Sequence, residues 1–365
     1  MGAEDPSTAF FGRASRLLQF LASAALLAVV VSACSIRPSA AGSNLQPADF
    51  YAANPSLADV RTLLGDSNWW PGPPSFGVPP LDTAYTPFNE KFHVITRFSH
   101  LGTAETFNIE YALWSSTSAA TAQMTSIQSA FGTSATGAKV GDQALYYGSK
   151  TAGAAPFGTV TFVRVGQIVT TITMALKDAF PTVAQLGRIA SKINSRLKDV
   201  LSGKVHSSPL PVTDELLLPP KGPDLTLLGS AVLPIEAVVV MLGFESPEAL
   251  ARILHTSGVD SIVFGDYALD VDTHMEVRAG VFNFTIANDA VTWVDELRGT
   301  HQADPNGIAT FYNEGSGEYF SLFTSGTKAA ILVCRSTSDA EAASRACEAP
   351  ISRIAPAWVL SLSGN

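Results

Sequence analysis

A proline-dense stretch near the middle of the chain limits how the sequence can fold. It carries Pro209, Pro211, Pro219, Pro220 and Pro223. Proline has no backbone N–H and a fixed φ, so helices and interior strands rarely run through such a density. The chain of 365 residues is also long enough for two domains. We therefore expect a linker at 203–225 between a first domain at 49–202 and a second at 226–365.

The first half contains a recognisable order of patterns. Alternating apolar and polar residues at 105–114 indicate a strand, and apolar residues at helical spacing indicate a helix at about 119–131. Two segments rich in β-branched residues flank Gly166 and indicate a hairpin. An amphipathic pattern at about 181–201 then predicts a second helix.

The second half repeats this order. A strand pattern at 276–286 is followed by a short helical pattern at 289–298, a hairpin around Gly326 and a closing helix at 339–349. The repetition points to an α+β fold of two tandem, duplicated domains, in which helices pack on an antiparallel sheet in each domain.

A short motif containing Gly-Asp also recurs, but in a different place. Val-Gly-Asp-Gln-Ala-Leu at 140–145 precedes the first hairpin, whereas Phe-Gly-Asp-Tyr-Ala-Leu at 264–269 precedes the first strand of the second half. Either the duplication is offset, or the similarity is a coincidence, because Gly-Asp commonly forms the turn at a strand entry.

The N-terminal segment has the properties of an export signal. Residues 17–33 contain no charged side chain, and arginines precede them. The segment ends in Val-Ser-Ala-Cys at 31–34, which resembles the bacterial lipobox: an aliphatic residue, two small residues and a cysteine. The resemblance implies that residues 1–33 form a lipoprotein signal peptide, and that Cys34 is acylated, with palmitate for example, and becomes the first residue of the mature protein.

This interpretation predicts a lipid-anchored protein on the extracytoplasmic side of a bacterial membrane. Acyl chains on Cys34 would hold the protein in the bilayer, and residues 34–48 would form a tether. The alternative is an uncleaved transmembrane helix, for which the apolar segment is at the lower limit of about 17 residues. Both alternatives put residues 35–365 outside the cytoplasm.

The remaining cysteines predict a disulfide. The chain has 3 cysteines, so acylation of Cys34 leaves Cys334 and Cys347 as a pair. In an oxidising compartment the simplest outcome is a bond between them. The alternative is two buried free thiols.

Local motifs for catalysis are weak. The sequence has no nucleophile elbow, zinc-protease motif, phosphate-binding loop or dinucleotide fingerprint, so we expect no cofactor and a non-enzymatic role. Asp270, Asp272 and His274 alternate along a predicted strand and would share one face. They are weak candidates for a divalent metal site or an acid/base pair. The alternative is a charged edge strand that discourages pairing.

An aromatic, proline-rich segment is the stronger candidate for recognition. It contains Trp69, Trp70, Phe76 and Tyr85. Flat aromatic faces on a stiff backbone suit contact with a ligand or a partner protein. The alternative is that the tryptophans fill the end of the first domain's core.

Composition narrows the possible functions. A net charge of −9 argues against nucleic-acid binding, and 46% hydrophobic residues argue for a folded chain. We expect an envelope protein that binds a partner or ligand, or an accessory subunit of an envelope complex. The alternatives are a small-ligand carrier or sensor with a closed apolar cavity, and a secreted metal-dependent or acid/base hydrolase.

Overall fold

The computed structural model describes residues 45–77, 90–148, 157–177, 181–205, 216–220, 222, 225–242, 246–269, 272–314, 317–336 and 340–363. They form two compact units. Unit one contains the described residues up to Trp70 and from Gly77 to 205. Unit two contains Pro71–Phe76 and the described residues from 216 onwards. Each is α+β with an antiparallel sheet, which confirms the predicted fold class. The segment Pro71–Phe76, here called the strap, lies within the predicted first domain by sequence but belongs to unit two by its contacts.

The elements of the first half of the chain build a seven-stranded sheet. The helices are α1 (Pro47–Ala52), α2 (Leu57–Leu64), α3 (Thr117–Phe131) and α4 (Val183–Leu201). The strands are β1 (Trp69–Pro71), β2 (Ser75–Gly77), β3 (Glu90–His100), β4 (Thr106–Trp114), β5 (Gln143–Gly148), β6 (Phe157–Val165) and β7 (Ile168–Leu176). Their order in the sheet is β1-β3-β4-β7-β6-β5, and β2 also pairs with β3.

Unit two builds a six-stranded sheet. The strands are β8 (Leu225–Pro234), β9 (Ser261–Leu269), β10 (Asp272–Asn283), β11 (Ala309–Asn313), β12 (Glu318–Ser325) and β13 (Lys328–Ser336). The helices are α5 (Pro247–Thr256), α6 (Ala287–Arg298) and α7 (Ala340–Ser363), with a 3₁₀ turn at Ile235–Ala237. The order in the sheet is β11-β12-β13-β10-β9-β8.

The two units share one topology, as the repeated element order predicts. In unit one the order β3-β4-β7-β6-β5 matches β9-β10-β13-β12-β11 in unit two. Helix α3 follows β4 as α6 follows β10, and α4 closes unit one as α7 closes unit two. The Gly-Asp motif is not part of this repeat, because its first copy lies at the start of β5 and its second lies inside β9, which corresponds to β3.

Helix α4 shows how the local sequence determines where a helix begins and which of its sides is buried. Thr182 caps the helix: its hydroxyl accepts from the N–H of Gln185, whose side chain accepts from the N–H of Thr182. Apolar side chains at helical spacing are buried: Leu186, Ile189, Ile193, Leu197 and Val200. The basic side also binds the chain itself, since Arg196 donates to the backbone carbonyl of Asn54 at 2.6 Å.

A disulfide fastens the closing helix of unit two. Cys334 in β13 is bonded to Cys347 in α7, and their Cα atoms are 5.7 Å apart. Both residues are fully buried. The bond confirms the predicted pairing. Beside it Trp358 is fully buried in the same core, and its indole N–H donates to the carbonyl oxygen of Leu217 at 2.7 Å.

Replacing Cys334 and Cys347 together by alanine should lower the free energy of unfolding of unit two by about 3 kcal/mol. The bond closes a loop with a sequence separation of 13, and a cross-link of this length restricts the unfolded chain by about that amount. Urea denaturation measures the change. Ser363→Ala, at an exposed position of α7, is the control with a change within about 0.5 kcal/mol. Equal midpoints for wild type and the double variant would contradict the prediction.

Candidate functional site

The two tryptophans of the predicted recognition segment are buried in unit one. Trp69 is 2% exposed and Trp70 is 3% exposed. The ring of Trp69 meets His100 edge-on at 5.4 Å, and the guanidinium of Arg61 lies 4.8 Å from the centre of the Trp70 ring. Arg61 also donates to the carbonyl oxygen of Trp69. This burial favours the interpretation in which the tryptophans fill the core over the one in which they contact a partner.

Phe76 is buried in the other unit, at the end of the strap. Its ring lies against Gly229, where a Cβ atom would fall 2.5 Å from Cγ of Phe76. The ring of Phe264 lies beside it, with 6.5 Å between the ring centres. The N–H of Phe76 donates to Oδ2 of Asp266 at 2.8 Å, and Arg278 donates to the hydroxyl of Ser75 at 2.7 Å.

Strand register explains why these groups lie together. Gly229 in β8, Asp266 in β9 and Arg278 in β10 are direct neighbours across the sheet, so their side-chain positions share one face. Glu276 is on the same face and accepts from Arg278 at 2.8 Å and from Arg335 at 2.6 Å. We call the site formed by Gly229, Phe264, Asp266, Glu276 and Arg278 the socket.

The two carboxyl groups of this region have opposite protonation tendencies. Burial and the nearby charge of Glu276 raise the pKa of Asp266 well above its usual 3.8, although Arg278 and the N–H of Phe76 act in the other direction. Burial would also raise the pKa of Glu276, but Arg278 and Arg335 outweigh it and lower that pKa to about 2. Glu276 therefore carries the negative charge that compensates the arginines, and Asp266 tends to stay protonated.

Asp266→Asn should reduce the pH dependence of stability. The folded chain keeps Asp266 protonated at pH values where the unfolded chain has lost that proton, so the wild-type free energy of unfolding falls as pH rises from about 4 towards the folded pKa. Asparagine keeps an acceptor for the N–H of Phe76 and does not titrate. Urea denaturation between pH 4 and pH 8 should show a smaller decline in Asp266→Asn than in wild type and in the exposed control Glu296→Gln. Some decline should remain in Asp266→Asn, because the pKa of Glu110 is also raised. Parallel curves for all three proteins would contradict it.

Trp69→Ala and Trp70→Ala should each cost about 3–5 kcal/mol of stability, because truncating a buried tryptophan removes apolar contacts and leaves a cavity. Phe131→Ala is the matched control, since Phe131 is 41% exposed, and it should cost clearly less. Thermal unfolding followed by circular dichroism measures the difference. Melting temperatures that change no more than in the control would show that the tryptophan rings are not packed.

The other sequence candidates lie at the limits of what the structure describes. Cys34, Tyr85 and Asp270 are outside the described residues. Asp272 and His274 belong to the backbone of β10, but their side chains are outside the described set. Among the described residues no group of three or more His, Cys, Asp or Glu side chains is arranged to hold a metal ion.

A polar sheet face in unit one was not foreseen from the sequence. Glu110 in β4 is half-buried and shares a face with His93 in β3, whose Nδ1 lies 2.8 Å from a carboxylate oxygen of Glu90. Burial raises the pKa of Glu110, and His93 lowers it while Glu90 raises it. The alternation of Glu110 with Ile109 and Tyr111 is visible in the sequence, but the proximity of His93 depends on strand register.

An open groove lies beside the first turns of α4. It has a volume of about 620 Å³, within the usual range for small-molecule sites. Small side chains predominate in its lining: Thr136, Gly137, Ala138, Val183, Ala184, Gly187, Arg188 and Ser191. Tyr146 supports one wall, because its hydroxyl donates to the carbonyl oxygen of Ala138 at 2.8 Å. Arg188 brings the one charged group of this lining.

Comparisons with known proteins do not identify a family for this chain. No protein-family model matches the chain, and the search of curated proteins finds no match. Among solved structures the chain is similar to the extracellular domain of PknH from Mycobacterium tuberculosis, with 13% sequence identity and a TM-score of 0.33. That match covers 43% of this chain and 99% of the other. A likeness at this TM-score supports no conclusion about function. Within the described residues, no helix has the length and apolar character needed to cross a membrane.

Proposed function

We propose that the chain is a lipid-anchored binding protein on the extracytoplasmic side of a bacterial membrane. The observation that carries the location is the fully buried disulfide between Cys334 and Cys347, because structural disulfides persist in oxidising compartments. The apolar segment at 17–33, followed by the lipobox-like residues that end at Cys34, supports the same location and supplies the anchor.

The anchor is tested by Cys34→Ser. Mass spectrometry of the N-terminal peptide from the membrane fraction should find wild-type Cys34 acylated and the preceding residues removed. The variant should remain an unprocessed precursor, because the cysteine is both the acylated residue and the cleavage point. The double alanine variant of Cys334 and Cys347 is the control and should keep its acyl chains. An unmodified Cys34 in the wild-type protein would refute the anchor.

The groove beside α4 favours a small molecule as the ligand, and so a carrier function for the protein. Its small apolar side chains and the guanidinium of Arg188 suit a small amphipathic molecule with an acidic group. The groove is open, unlike the closed cavity that the sequence alternative predicts for a carrier. A ligand held there would rest on Ala184 and Gly187, both of which lie in α4.

Native mass spectrometry of the protein purified from its own membrane tests this carrier function. A bound small molecule should give an additional mass in wild type, and Ala184→Trp should reduce it because the larger ring fills the groove. Ala130→Trp, at an exposed position of α3, should leave the additional mass unchanged. An additional mass that is missing in wild type, or equally present in all three proteins, would contradict a ligand in the groove.

A further inference from the structure

One wall of the groove beside α4 is a main-chain segment, residues 134–138, that follows the side chain of Tyr146. At one end the carbonyl oxygen of Tyr146 accepts from the N–H of Ala135 at 3.0 Å, and its N–H donates to the hydroxyl of Ser134 at 2.8 Å. At the other end the hydroxyl of Tyr146 donates to the carbonyl oxygen of Ala138. The segment therefore runs along the tyrosine from its backbone to its hydroxyl.

This wall presents main-chain groups to a ligand. Within the part of the chain that the structure describes, no main-chain hydrogen bond engages the N–H of Thr136 or of Gly137. Both residues line the groove, and both are exposed. Free main-chain groups beside a groove are the groups with which proteins bind the backbone of an extended peptide.

The opposite wall consists of the first turns of α4, and the two walls pack closely. A Cβ atom on Gly137 would lie 2.7 Å from the ring of Tyr146 and 2.8 Å from Cγ1 of Val183. A Cβ atom on Gly187 would lie 3.0 Å from Cβ of Ala138. The glycines thus let the segment rest directly on the helix. A groove whose walls are already in contact loses little free energy to ordering when it binds a ligand.

Arg188 differs from two other basic residues further along α4. Lys192 pairs with Asp59 at 2.9 Å, and Arg196 donates to the carbonyl oxygen of Asn54. Arg188 is exposed, lines the groove and has no such partner among the described residues. A guanidinium group matches a carboxylate in both charge and geometry. The complementary group on a ligand is therefore a carboxylate.

A short peptide uses these features better than an aliphatic acid does. An alkyl chain would leave the N–H groups of Thr136 and Gly137 without a partner, and in an open groove part of that chain would stay in water. The carbonyl groups of a peptide can accept from this wall. Its side chains, if small, can rest on Ala184 and Gly187.

We propose that the ligand of the groove is a short peptide whose free C-terminal carboxylate binds Arg188 and whose backbone bonds to the wall at Thr136 and Gly137. This inference rests on the carrier function proposed above and names the chemical class of its ligand. Recognition through the backbone and the terminal carboxylate tolerates different sequences, provided that the side chains are small.

The experiment titrates the isotope-labelled full mature chain with the tetrapeptide Val-Ala-Val-Ala and follows the amide signals by NMR. The peptide should shift the amides of Thr136, Gly137 and Ala184. The same peptide with a C-terminal amide should bind about fivefold more weakly, because it lacks the charge that pairs with Arg188. No shift of the groove amides at about 1 mM peptide would overturn the proposal.

Arg188→Gln tests the contact with the carboxylate. This variant should bind the acid and the amide forms of the peptide equally, since the contact that distinguishes them is gone. Lys192→Gln is the matched control, one turn further along α4 and outside the lining, and it should keep the wild-type preference for the acid. A preference for the acid that persists in Arg188→Gln would overturn the proposal.

Decanoate separates this inference from the carrier function, because it has a carboxylate and an alkyl chain but no peptide group. It should bind more weakly than the tetrapeptide. If decanoate shifts the same amides with equal or higher affinity, the peptide is overturned and the carrier function stands. If neither compound shifts them and native mass spectrometry finds no additional mass that Ala184→Trp reduces, the carrier function fails as well.

Discussion

The hydrogen bond from the N–H of Phe76 to the buried carboxyl group of Asp266 joins the strap to the sheet of unit two. A carboxyl group inside a sheet is costly unless it is neutral or well paired. Asp266 meets this requirement in two ways, through its raised pKa and through the strap. Without the strap, Asp266 and Arg278 would each lose a partner, and Phe264 would lose the ring that packs beside it.

The strap completes a face of the sheet that a helix covers in part. Trp293 of α6 packs against Phe282 of β10 at 4.5 Å. Phe282 and Arg278 are an even number of positions apart in β10, so their side chains lie on the same face. The helix and the strap therefore pack on the same face of the sheet. The opposite face is covered by α7, where Trp358 meets Phe323 edge-on at 5.2 Å.

The same topology has different chemistry in unit one. There Ala112 and Trp114 of β4 pack with α3, while Glu110 lies on the same face, two residues before Ala112. Glu110 is half-buried and has a raised pKa, whereas the equivalent part of β10 carries Arg278 and Glu276. The two copies of the fold therefore carry different charged groups on the matching face of this strand.

Patterns that act over a few residues predicted several elements of this fold. The helix expected at about 181–201 is observed at Val183–Leu201, and the hairpins expected around Gly166 and Gly326 are both observed. The disulfide followed from the small number of cysteines, since the acylation expected at Cys34 leaves one pair.

Features that depend on distant residues were missed. The Gly-Asp pair at 265–266 looked like a turn at a strand entry, but Asp266 lies inside β9 with its carboxyl group buried. Its partner, the N–H of Phe76, is 190 positions away, and no local pattern connects the two. Arg61 of α2 likewise lies against the ring of Trp70, and no pattern within the aromatic segment predicts this contact.

The most direct test of this account is native-state hydrogen exchange of the Phe76 amide. If the bond to Asp266 holds the strap as part of unit two, this amide should exchange only when the unit unfolds, with the same free energy as the core amide of Val277 in β10. Exchange as fast as that of an exposed turn amide such as Gly102 would contradict it, and would show that the strap leaves the socket without unfolding unit two.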